Sequence, residues 1–97
     1  MRYLKVRWRH EDHESPVLLF SELDDESWEV RKVEVFADGS ADFADLKTET
    51  ARTFLGLEPL PPIEEIATDP QFLPAWIGRE EFESVWEAAR RVPHMSR

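Results

Sequence analysis

Two imidazoles and three carboxylates stand in five consecutive positions, His10-Glu11-Asp12-His13-Glu14, a donor set chemically suited to zinc or nickel. Metal ligands need partners that fix their orientation. This run is a connection after a strand, and the remaining histidine, His94, lies near the tail. The expectation is therefore a solvated loop, with His10 and His13 as weak metal candidates and no cofactor. A second group gathers Glu22, Asp24, Asp25, Glu26 and Glu29 around Trp28. Its charge suits calcium, but the alternating ligands and central glycine of an EF-hand loop are missing. What remains is either a solvated turn or an acidic docking surface for a protein partner, with Trp28 either as aromatic anchor or as core.

The basic residues Arg2, Lys5, Arg7 and Arg9 form a stripe along the first strand. Pairing with Glu29 and Glu34 of a neighbouring strand is the expectation there, ahead of phosphate binding. Arg31 and Lys32 are expected to pair locally across strands. Pro59-Leu60-Pro61-Pro62 has the spacing of a proline-rich ligand but is expected to stiffen the entry into a short helix. No nucleophile elbow and no phosphate-cradling glycine loop accompanies the Ser, His and Asp residues. The three glycines stand alone, at 39, 56 and 78.

These groups must be positioned by 97 residues, enough for one core. The absence of Cys excludes a disulfide scaffold and a thiolate site. The net charge is −9, against the Lys and Arg excess that phosphate binding needs. The charge is uneven, since residues 11–87 hold five basic and all 21 acidic side chains, a net −16. No run approaches the length of a membrane span, and residues 1–7 lack a signal-peptide core, so a cytoplasmic location is expected.

Strict alternation over Tyr3–Arg9 predicts a half-buried strand with Leu4, Val6 and Trp8 inside. Val17–Phe20 reads as a second strand and Glu22–Ser27 as an acidic loop. Trp28–Phe36 reads as a third strand whose apolar parity shifts midway, from a bulge near Arg31-Lys32 or from burial on both faces. Asp38-Gly39 predicts a type I′ hairpin into Ala41–Ala44. Phe54, Leu55 and Leu57 are expected to plug one end of the core, and Pro61-Pro62 to open a short helix over Ile63–Ala67. Phe72 and Trp76 are expected to cap the core from an irregular stretch over Pro70–Ile77. Phe82, Val85, Trp86 and Ala89, at i, i+3, i+4 and i+7, predict a C-terminal helix capped by Gly78, stapled by Ile77 and stopped by Pro93. The sum is an α+β fold: a four-stranded, mainly antiparallel meander with the C-terminal helix on one face, forming one domain over residues 1–92 with a tail over 93–97.

The run from Ser21 to Phe36 with Asp38-Gly39, then Thr53–Gly56 with Glu58-Pro59, Ile63–Ile66 with Asp69-Pro70, and Glu80–Phe82 with Trp86, resembles a family of small bacterial proteins known as a domain of unknown function. The resemblance covers roughly residues 1–90. It implies a freestanding cytoplasmic domain of a type that includes immunity partners of bacterial toxins, and it implies no catalytic residue. The function expected is non-enzymatic binding by Glu22, Asp24, Asp25, Glu26, Trp28 and Glu29 to a basic protein surface, as an immunity protein would do by occlusion. The alternative is a structural or regulatory module that pairs through a sheet edge or homodimerises. A small metal-dependent enzyme centred on His10 and His13 is a third reading. Neither nucleic acid nor membrane is an expected direct partner.

Overall fold

The computed structural model describes residues 1–50 and 52–91. Pro93 and the proposed boundary at residues 92–93 lie outside them. Five strands form one wholly antiparallel sheet: β1 (Arg2–Trp8), β2 (Leu18–Leu23), β3 (Glu29–Val35), β4 (Ala41–Asp45) and β5 (Phe72–Ile77), in the order β4-β3-β2-β1-β5. Two helices complete the fold, α1 (Ile63–Ile66) and α2 (Arg79–Arg91).

The fifth strand corrects the four-strand expectation. Phe72 to Ile77 is almost continuously apolar with a proline inside it, a weak strand signal. At a sheet edge that proline is harmless. The Arg9 amide donates to the Gln71 carbonyl at 2.8 Å, which sets a pairing phase where residues 71, 73, 75 and 77 face β1 and Pro74 turns its missing donor outward.

Core clusters lie on both faces of the sheet, and β1 keeps its half-buried alternation, with Leu4 and Val6 buried and Arg7 exposed, except at Tyr3, which is buried under α2. On one face Tyr3, Phe20 and Val33 pack under Phe82, Trp86 and Ala89 of α2. On the other, Leu4, Val6 and Leu23 pack with Leu60, Ile63, Ile66 and Phe72. The amphipathic spacing of α2 is realised as read, with Val85 partly buried beside its three core residues.

The glutamates of the expected acidic loop divide. Glu22 and Leu23 belong to β2, and the turn proper is Asp24–Trp28, closed by Asp24 N–H to Trp28 O at 3.0 Å. Ser27 takes the left-handed conformation, φ 69°. The β3–β4 turn has the same build: Phe36 N–H donates to Ser40 O, and only Gly39 is left-handed, φ 88°. It is a three-residue turn, and the type I′ expectation, which needs two positive φ values, fails because Asp38 keeps a negative one.

The parity shift in β3 has its cause at Val30. Glu22 pairs with Arg31 and Leu23 with Glu29, so Val30 is the extra residue of a bulge, just before the expected place. Glu29 and Arg31, two apart in sequence, consequently point to opposite faces.

Candidate functional site

On the α2 side, Arg31 is gripped by two carboxylates. Its Nε and Nη2 donate to Glu22 at 2.6 and 3.0 Å, while Nη1 and Nη2 donate to Glu83 at 3.1 and 2.7 Å. The guanidinium lies over the Phe82 and Trp86 rings, 4.9 and 5.1 Å from their centroids. Tyr3 donates its hydroxyl to Glu22 at 3.1 Å. Arg31 holds both carboxyls below their ordinary values, chiefly through these hydrogen bonds, and burial pushes the Tyr3 hydroxyl up.

On the opposite side, Glu29 accepts from Ser21 Oγ at 2.8 Å and from the Gly56 amide at 2.7 Å. Glu34 accepts from Thr53 Oγ1 at 2.7 Å, and Lys32 Nζ stands 3.5 and 3.7 Å from Glu29 and Glu34. Arg52 pairs with Asp42 at 2.7 Å and lies over the Phe36 ring. The 52–58 segment is thus a strap whose polar groups face the sheet. Phe54 and Leu57 are left outside, 60 % and 89 % exposed, while Leu55 is half-buried without joining either core cluster. These residues do not plug the core; Thr53 is the strap residue that is buried.

The expected binding residues therefore divide. Glu22 and Glu29 are only 8 % and 6 % exposed and are consumed by internal partners. Asp24 shapes the turn, its Oδ1 accepting from the amides of Glu26 and Trp28 at 2.8 and 3.0 Å. Asp25 and Glu26 are exposed, and Trp28 is 39 % exposed.

Two hydrogen bonds enlarge this remnant into a surface. Leu60 N–H donates to Ser27 O at 2.8 Å, and the Gly56–Glu29 bond anchors the strap next to Trp28. Glu58 is thereby brought to the turn, while α1 turns Ile63 and Ile66 inward and Glu64 and Glu65 outward. The sequence reads Phe54 and Leu57 as core, and it does not mark Glu58, Glu64 and Glu65 as surface-site residues. The available signal was the run 53–78, with four acids and no Lys or Arg. Trp28, Phe54 and Leu57 are exposed on segments that these bonds tie together and that also carry the exposed acids, a mixture of apolar and acidic side chains such as protein interfaces use.

At the turn, Arg2 donates to Ser27 Oγ at 2.8 Å and covers the half-exposed Trp76 ring at 5.3 Å. Trp76 therefore does not cap the core, whereas Phe72 packs into the second core cluster. Arg2 lies on the opposite face of β1 from Lys5 and Arg7, and Glu29 and Glu34 pair with Lys32, so the expected pairing of the basic stripe with those glutamates does not form. Arg31 pairs across strands with Glu22 as read, whereas Lys32 pairs within its own strand, with Glu29 and Glu34.

His10 is committed to its own loop. Asp12 N–H donates to Nδ1 at 2.9 Å, so Nε2 carries the proton and donates to Pro16 O at 2.7 Å. His13 is exposed, and among the described residues no three His, Asp or Glu side chains gather into a metal-sized cluster.

Fold and surface together define a small five-stranded antiparallel α+β domain with one helix over its sheet. The chain belongs to the family described as Domain of unknown function (DUF6881), whose model matches residues 2–91. No curated protein and no solved structure matches it. No helix among the described residues is long and apolar enough to cross a membrane.

Proposed function

We propose that this chain is a non-enzymatic protein-binding domain that covers a basic surface of a protein partner, with neutralisation of a bacterial toxin as an immunity protein the specific setting. One observation carries the reading: Trp28, Phe54 and Leu57 stay exposed on hydrogen-bonded backbone, and Asp25, Glu26, Glu58, Glu64 and Glu65 are exposed on the same turn, strap and short helix. Clustered carboxylates raise the rate of encounter with a cationic surface, and the desolvated apolar side chains slow release. The same carboxylates would meet the basic groups that a toxin uses on an anionic substrate.

Pairing through a sheet edge has less support. At β4 the Phe43 and Asp45 amides are taken by Thr50 Oγ1 and Thr48 O, and β5 carries Pro74 at its outer edge. The test is affinity capture from the native host with the wild-type chain and a Trp28→Ser/Leu57→Ser variant, read by mass spectrometry. A basic protein retained by the first and lost by the second supports the proposal. Equal retention by both removes this surface from the account.

A further inference from the structure

We propose that the uncovered margin of the sheet on the α2 side, formed by β1 and β5, is a second docking surface, one that takes an extended acidic polypeptide segment. This goes beyond the acidic patch and does not depend on it.

Alternation along β1 puts Lys5 and Arg7 on the α2 side, and the Arg9–Gln71 hydrogen bond carries the ladder on to Arg9. The helix α2 lies mainly over β4 and β3 and reaches β5 only at Ile77, leaving the rest of that strand uncovered on this side. Leu73 and Ala75, the cross-strand partners of Arg7 and Lys5, are therefore exposed. Lys5 keeps one long ion pair to Glu81, at 3.8 Å. Arg7 and Arg9 are exposed and make no ion pair among the described residues, in a chain with 21 acids.

Residues two apart on a strand stand about 6.6 Å apart, which is also the spacing of alternate carboxylates on an extended segment. Each guanidinium can take a carboxylate through two parallel hydrogen bonds, and Leu73, directly across from Arg7, offers an apolar contact beside it. The segment lies on the face; it does not extend the sheet, because Pro74 removes an edge donor. Single-stranded nucleic acid has a similar charge spacing. Nucleic-acid single strands are held by stacking bases on aromatic rings, and this margin presents Leu73 and Ala75 and, among the described residues, no exposed aromatic side chain, so the acidic polypeptide is favoured.

The experiment titrates the full ¹⁵N-labelled chain at low salt with a capped peptide alternating Glu and Thr, and separately with an oligothymidylate of equal charge. The peptide should produce saturable shifts confined to the amides of β1 and β5. An Arg7→Gln/Arg9→Gln variant, changed only at exposed positions, should bind roughly five- to tenfold more weakly. Lys47→Gln removes an exposed charge beyond β4 and should leave binding unchanged. The proposal is overturned if no saturable shifts appear, if Lys47→Gln weakens binding as much as the arginine pair, or if the oligothymidylate binds as tightly as the peptide.

Discussion

Glu22 and Glu29 lie on either side of Asp25 and Glu26 in one short stretch, and the two pairs have opposite roles. The glutamates are buried with every oxygen near a donor or cation, whereas the two central acids face water. Net charge does not distinguish them. What separates them is whether the backbone places a partner within reach, and that decides whether a carboxylate stabilises the fold or is free to act on another molecule.

The comparison breaks most severely at Arg31. Arg31→Met leaves Glu22 without its cation and Glu83 with only the exposed Arg79 at 3.7 Å, and should cost about 2–4 kcal/mol in denaturant unfolding, below the fully buried case because Glu83 is partly accessible. The folded-state values of both carboxyls are depressed below the ordinary 4.5. Their contribution is thus complete above that value and is lost as pH falls through the folded-state values. The variant should show a flatter acid limb than the wild type.

Glu29→Ala strips Ser21 Oγ and the Gly56 amide of their acceptor, and about 1–3 kcal/mol should be lost. Faster exchange of the Gly56 amide and earlier proteolysis within 52–58 would locate the damage in the strap. Asp24→Ala removes the acceptor of two turn amides and should cost on the order of 1 kcal/mol by thermal unfolding. Asp25→Asn/Glu26→Gln should change stability by less than about 0.5 kcal/mol. Its effect belongs in association kinetics with the captured partner, as a slower rate and a flatter salt dependence. A large stability change in this last variant would erase the distinction between the two pairs.

The fold was legible where periodicity is local. The spacing of Phe82, Val85, Trp86 and Ala89, and the alternation of Leu4, Val6 and Trp8, identify α2 and β1 directly. β5 was hidden because its proline is acceptable only at an edge, and being at an edge is a property of the whole sheet. The surface was half legible. Asp25, Glu26 and Trp28 were singled out by type, but nothing local shows that Glu22 meets Arg31 or that Gly56 reaches Glu29. Phe54 and Leu57 look like core until the strap's polar groups claim the inward side.

The turns before and after β3 share one geometry, yet the left-handed seat is filled by glycine in one and by Ser27 in the other. A side chain in that seat costs about 1 kcal/mol, and here it supplies the oxygen that receives Arg2. The beginning of β1 is thereby fastened to a turn 25 residues away, so fraying of the first strand and loosening of the Trp28 turn form one cooperative event. Any change that displaces Arg2, a fused tag included, would be felt at Trp28 without touching it.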